Sequence, residues 1–169
     1  MFAAFRLIGP NRLRENFGLA FEDFAPGQTF HHRPGITVTQ QDNINEALAT
    51  HNQAMIHYDH KYAEGTEFKL PLVVSTLTLQ RAIGMTWKTF GRRKRIVGFP
   101  SISLKAPVFG GDTLYSRSII LETGPSDDPD CGLVTSETSL LKEEKEAANI
   151  VWQAQIFLRD RGPFAAFGY

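Results

Sequence analysis

His57, in the polar segment His57-Tyr58-Asp59-His60 between two runs of helical character, is a side chain that could move a proton, while by residue type alone it also reads as a satisfied loop histidine with Asn52 as a turn former. An imidazole can act as general acid or general base near neutral pH. Asp59, two residues on, is available either as a partner for the ring or as the cap of a helical turn, and the order Asp59-His60-Lys61-Tyr62-Ala63 favours the cap. His57, Asp59 and His60 are also metal-ligating types. Their spacing fits no strong metal motif and no second cluster completes a coordination shell, so no metal is expected. His31 and His32 are neighbours in a strand-like stretch and should face opposite sides of it. Arg92, Arg93, Lys94 and Arg95 form the one dense basic run; it offers charge-assisted bonds to phosphate groups or to an acidic helix, and reads equally as a solvated loop.

These residues must be held by a scaffold of 169 residues, enough for one well-buried core and short for two, so a single domain over residues 1–169 is expected. Eighteen basic side chains balance eighteen acidic ones, so no net charge draws the chain to nucleic acid or to an anionic membrane. The lone Cys131 has no intrachain partner, which fits a reduced, cytoplasmic setting. Met1 to Pro10 is apolar but short, is interrupted by Arg6 and lacks a small-residue cleavage site; it is not read as a signal peptide, and no run is long enough to span a bilayer. Phosphate-cradling glycine loops and paired cysteines are absent too, so nucleotide-dependent chemistry has no support.

Along the chain, Pro26-Gly27-Gln28 reads as a turn and Thr29 to Thr39 as an edge strand bent at Pro34-Gly35. Thr39 should cap a helix from Gln40 to Thr50 whose buried face is Ile44, Ala47 and Leu48. After a loop from His51 to His57, a short turn capped by Asp59 should end at Gly65. Leu72 to Phe90 is apolar nearly all round, as a helix enclosed by a sheet would be. Beyond Gly91, β-rich runs at about Val97 to Phe109, Thr113 to Glu122, Leu133 to Lys142 and Asn149 to Arg159 predict an antiparallel meander of four strands. The pattern is α+β, with one sheet wrapped around one helix and with edge strands suited to pairing between subunits. Phe68, Trp87, Phe90 and Phe99 are expected in the core.

Several fragments resemble the MaoC-like dehydratase family in order and spacing: Phe21-Glu22-Asp23-Phe24-Ala25-Pro26-Gly27, Thr37-Val38-Thr39-Gln40-Gln41-Asp42, His57-Tyr58-Asp59-His60-Lys61-Tyr62-Ala63, Phe99-Pro100, and Ala106-Pro107-Val108-Phe109-Gly110-Gly111-Asp112-Thr113-Leu114. The likeness covers about residues 17–160. It implies a hot-dog fold, a curved antiparallel sheet around a long central helix, and (R)-specific hydration of a 2-enoyl-CoA or the reverse dehydration. Leu48-Ala49-Thr50-His51-Asn52 and Pro71-Leu72-Val73-Val74-Ser75 look most like the branch acting on C5 dicarboxylic acyl-CoAs of the mesaconyl or itaconyl type.

Hydration needs a base for water at C3, an acid for C2 and donors for the enolate oxygen. The resemblance makes His57 the acid/base and Asn52 its companion. Family hydratases usually carry Asp where Asn52 stands, and an amide can orient water but cannot accept its proton. Ser75 and Thr76, at the start of the central helix, would supply oxyanion and thioester-binding amides, or Ser75 would merely cap that helix. The run Arg92 to Arg95 would bind the phosphates of coenzyme A. The expected partners are an acyl-CoA or acyl-carrier-protein thioester and a second copy of the chain, as a homodimer or dimer-based oligomer. No nucleic acid, membrane or metal is expected, and no cofactor beyond the coenzyme A of the substrate. Two alternatives stay open: a non-catalytic acyl-thioester-binding or scaffold subunit, which Asn52 favours, and a hot-dog thioesterase using a carboxylate such as Glu64 or Glu67.

Overall fold

The structure, a computed structural model, describes residues 4–166. Among the described residues the first elements are β1 (Phe5–Gly9) and β2 (Arg12–Glu15), a hairpin whose two strands pair only with each other. The reading of the first ten residues did not foresee this hairpin, and part of that stretch, residues 1–3, lies outside the described residues. A short 3₁₀ turn (Phe21–Asp23) leads to β3 (Thr29–Thr37), whose pairing slips between His32 and Ile36, where Pro34-Gly35 interrupt the ladder. Helices α1 (Gln40–Ala49) and α2 (His60–Glu64) follow, separated by a 3₁₀ turn at Met55–His57. The apolar stretch ending at Phe90 is two helices rather than one: α3 (Ser75–Gly84) and α4 (Trp87–Phe90). They part where the Thr86 hydroxyl donates to the Ile83 carbonyl at 2.6 Å, a side-chain bond that competes with helix continuation.

Strands β4 (Arg93–Leu104), β5 (Thr113–Pro125), β6 (Cys131–Lys142) and β7 (Lys145–Phe157) and a short helix α5 (Gly162–Ala166) are the remaining elements of the described residues. The main sheet is antiparallel with the order β3-β5-β6-β7-β4. This corrects the simple meander: β5, β6 and β7 are hairpin neighbours, but β4 lies at the far edge against β7. The connection from β4 to β5 is used to strap the start of α3, through Val73 N donating to Val108 O at 2.9 Å and a bridge between Leu72 and Phe109. It ends in Gly110-Gly111. Gly111 has φ +101°, and a Cβ on Gly110 would come 2.9 Å from the Gln40 amide nitrogen, so the turn rests directly on the first residue of α1.

Leu77 and Ala82 of α3 and Phe90 of α4 pack on the inward residues Leu114, Ile120, Val134, Leu140, Ile150 and Trp152, which makes a curved sheet wrapped on a helix, the hot-dog arrangement. That core face carries a polar stripe as well. Trp152 Nε1 donates to Thr138 Oγ1 at 2.8 Å, Thr138 meets Ser118 at 2.8 Å, and Ser118 meets His32 Nε2 at 2.8 Å. His31 and His32 do face opposite ways, the first exposed and the second buried. Burial chiefly, with the nearby His31 and Arg33, pushes the His32 pKa down to about 4.

Candidate functional site

The site is assembled where α1, the His57 turn and the start of α3 meet. Helix α1 begins in a capping box: the Asp42 amide donates to Thr39 Oγ1 at 3.1 Å, while the Thr39 amide and hydroxyl each donate to the Asp42 carboxylate at 2.8 Å. Those donors hold the Asp42 carboxyl below its usual pKa. Thr39 therefore caps as expected, but the buried face is Asn43 and Ala47; Leu48, assigned to the core, is exposed. Asn43 Nδ2 donates to His57 O at 2.8 Å and to Leu72 O at 3.0 Å, and its Oδ1 accepts from Val74 N at 2.8 Å.

His57 is buried, with its Nδ1 2.8 Å from the Leu72 carbonyl. A carbonyl can only accept, so Nδ1 carries the proton, and in the neutral ring Nε2 keeps a free lone pair. Nε2 makes no hydrogen bond among the described residues. Asp59 is not the partner of this ring. Its carboxylate accepts from Tyr62 N at 3.0 Å and caps α2, with Gly65 at the other end.

Asn52 lies on the loop before His57, half-buried, with its Oδ1 accepting from Ala54 N at 3.0 Å. The turn-former role is thus filled by the carbonyl oxygen, while the NH₂ group has no protein partner among the described residues and no hydrogen bond joins Asn52 to His57. Ser75 is the first residue of α3 and is exposed; the cap position belongs to Val74, which offers no side-chain bond, so the reading of Ser75 as the cap is corrected. The first intrahelical bond runs from Thr78 N to Val74 O, so the amides of Ser75 and Thr76 have no acceptor within the helix. The Thr76 hydroxyl is committed elsewhere, donating to Glu46 at 3.0 Å beside Gln80, which donates to the same oxygen at 2.7 Å.

A cleft of about 270 Å³ opens beside the start of α3, lined by Phe68, Leu72, Val73, Ser75, Lys105 and Val108 among others; His57, Asn52 and Thr76 are not in its lining. It brings together Leu72, the residue that holds His57, and Ser75, the first free amide of α3. Lys105 is the cation in its wall and is paired with Glu146. Burial alone would raise the Glu146 pKa; hydrogen bonds from Lys105, Ser139 and Asn149 bring it down to about 2.

The basic run is not brought to this cleft. Arg92 immediately precedes β4 and Arg93 to Arg95 begin it, while the cleft is reached at the other end of that strand, at Leu104. Nor is it a solvated loop. Arg92 is buried, donating to Arg159 O at 3.3 Å and stacked on Phe164; Arg93 lies over Trp87 and Trp152. Lys94 pairs with Asp128, and Arg95 donates to Gln155 and faces Asp127. Of the aromatic residues assigned to the core, Phe90 is fully buried and Phe68 lines the cleft, but Trp87 and Phe99 are about half exposed. Glu64 and Glu67 are exposed, Glu64 paired with Lys61 at 3.2 Å. Among the described residues no group of His, Cys, Asp or Glu is placed to hold a metal ion, and no helix is long and apolar enough to cross a membrane.

Asn43 is the site residue that sequence reasoning missed. The available signal was an amide four residues before Ala47 on the face of α1 that turns out to be buried, a placement costly in a helix unless the side chain has partners.

Similarity to known proteins follows the same geometry. The chain is similar to a MaoC-like dehydratase from Rhodospirillum rubrum, with 21% identity over 84% of this chain and 99% of that one and a TM-score of 0.74. An (R)-hydratase from A. caviae involved in PHA biosynthesis matches with 21% identity over 81% of this chain and 98% of that one, at a TM-score of 0.60. A Mycobacterium tuberculosis protein with a double hot-dog fold matches with 21% identity and a TM-score of 0.75 over 86% of this chain, which spans 46% of that protein. No curated protein sequence matches. Residues 22–140, from the 3₁₀ turn before β3 to the end of the inward run of β6, match the family described as MaoC like domain. The chain therefore belongs to the MaoC-like domain family.

Proposed function

We propose that the chain adds water to the double bond of a 2-enoyl thioester, or removes it from the corresponding 3-hydroxyacyl thioester. Family membership and the hydratase named among its structural neighbours support this reading. The observation that carries it is the bond from His57 Nδ1 to the Leu72 carbonyl, beside the free amides that open α3. In the hydration direction, His57 Nε2 takes a proton from water as its oxygen bonds to C3. The electron pair of the double bond moves toward the thioester oxygen, which the amides of Ser75 and Thr76 stabilise, and the proton held by His57 is returned to C2. Asn52 orients the water through its unpaired NH₂ group and takes no proton.

The acyl group is read as short, branched or C5 dicarboxylic, carried on coenzyme A or on a carrier protein, from the resemblance of Leu48 to Asn52 and Pro71 to Ser75; Lys105, the cation in the cleft wall, is already paired with Glu146. Binding of the coenzyme A phosphates by Arg92 to Arg95 is not part of the proposal, because these side chains are already engaged within the chain.

Incubation with a panel of 2-enoyl-CoAs, following loss of the conjugated absorbance and release of free thiol, tests the reading. Water addition without thiol release supports it; thiol release alone makes the chain a thioesterase. Binding with neither reaction would favour the non-catalytic subunit, for which the capture of Asn52 Oδ1 by its own loop is the specific observation.

A further inference from the structure

We propose that Asn43 is a positioning residue that joins the proton-transfer group to the oxyanion donors, setting the His57 tautomer and the start of α3 through a single amide. Its kinetic consequences rest on the hydratase reading above; its spectroscopic ones do not.

Asn43 is fully buried and, apart from a long 3.4 Å contact of Nδ2 with Gln40 Oε1, makes its side-chain hydrogen bonds outside its own helix. One N–H goes to the His57 carbonyl, the other to the Leu72 carbonyl, and Oδ1 takes the Val74 N–H. A helix does not need such a side chain; the segments around it do, because a buried amide or carbonyl without a partner is costly. Leu72 O is the pivot. Its two lone pairs are filled by Asn43 Nδ2 at 3.0 Å and His57 Nδ1 at 2.8 Å, so the same amide that orients this carbonyl decides where the imidazole proton sits. Two residues further on, Val74 N is held by Asn43 Oδ1, which anchors the Val73–Val74 peptide, immediately before the one that carries the Ser75 amide. Gln40 adds a second donor to His57 O at 2.8 Å but reaches neither Leu72 nor Val74, so it cannot replace Asn43 in this link.

Asn43→Asp tests the inference with almost no change of shape. The carboxylate can still accept from Val74 N but sets an oxygen against two carbonyl oxygens. When protonated, it regains one donor. The expected result, at pH values where the new carboxyl is ionised, is a kcat lower by about 10- to 100-fold, the usual cost of losing a group that orients a functional side chain, with KM changed by less than about twofold. Turnover relative to the wild type should recover as the pH falls and the carboxyl takes up its proton.

Imidazole ¹⁵N spectra should show one neutral Nδ1–H tautomer for His57 in the wild type and a mixture in the variant, together with faster hydrogen exchange at Ser75. A folded variant with unchanged kcat and an unchanged single tautomer overturns the proposal, as does a fall in melting temperature with normal turnover per folded molecule. Asn43→Ser, smaller and keeping one donor, carries the same test if the Asp variant does not fold, with the same tautomer mixing expected and an unchanged tautomer counting against the idea. If the wild type turns over no enoyl thioester, the hydratase reading fails on its own. The tautomer and the Ser75 exchange then still decide the role of Asn43, supporting it if they change and overturning it if they do not.

Discussion

Two residues on one short loop divide the work of the proposed site according to which of their atoms the fold has already used. His57 has spent Nδ1 on Leu72 and retains Nε2; Asn52 has spent its oxygen on Ala54 and retains its NH₂. His57→Ala is accordingly expected to lower kcat by about 10²–10⁴ while the protein stays folded, checked by steady-state turnover beside a circular dichroism melt. Asn52→Asp should keep the loop, since a carboxylate accepts from Ala54 N as an amide oxygen does, yet it should alter turnover because the donor is gone and a base has been gained. A rate equal to that of the wild type on the true substrate would remove Asn52 from the chemistry. His57 and Ser75 were legible as residue types at family spacings. Asn43 was not, because helical periodicity was read from the apolar residues Ile44, Ala47 and Leu48, whereas the surface facing α1 is loop backbone that needs hydrogen bonds rather than hydrocarbon.

The helices were foreseen where a cap or a glycine marks their ends: Thr39 for α1, and Asp59 and Gly65 for α2. Neither the partner of β4 nor its first residues could be read, since a run of Arg and Lys resembles a loop until Trp87 and Trp152 are seen to cover Arg93. Because α1 carries Asn43, its cap bears on the site. Thr39→Ala should cost about 1 kcal/mol of stability, measurable by urea unfolding, by removing the hydroxyl bonded to the Asp42 amide. A second stability test lies between β3 and α4. His32 titrates near 4 in the folded protein and near 6.5 when unfolded, so between those values the unfolded chain holds a proton that the native one does not. Stability should therefore fall as the pH drops from about 6.5 to about 4, by on the order of 3 kcal/mol, and flatten below. His32→Gln should abolish that slope in urea titrations run across the window.

As a whole, the molecule leaves both ends of its sheet open, at β3 and β4. Along and beside β4, Trp87, Val97, Phe99, Ile102 and Leu104 stand about half exposed, an apolar surface fit for another chain. Sedimentation at micromolar concentration is expected to show a dimer, and Ile102→Glu to shift it toward monomer; a wild-type monomer would refute the pairing. The irregular register of β4 then has a consequence for partner choice. Its match to β7 slips between Arg93 and Arg95, between Ile96 and Gly98, and again between Gly98 and Ser101, and Pro100 offers no amide hydrogen. Such a rail is kinked and gapped, so a flat stray strand is expected to find few places to grip. The irregularity is expected to guard the open edge of the sheet against fibrous stacking.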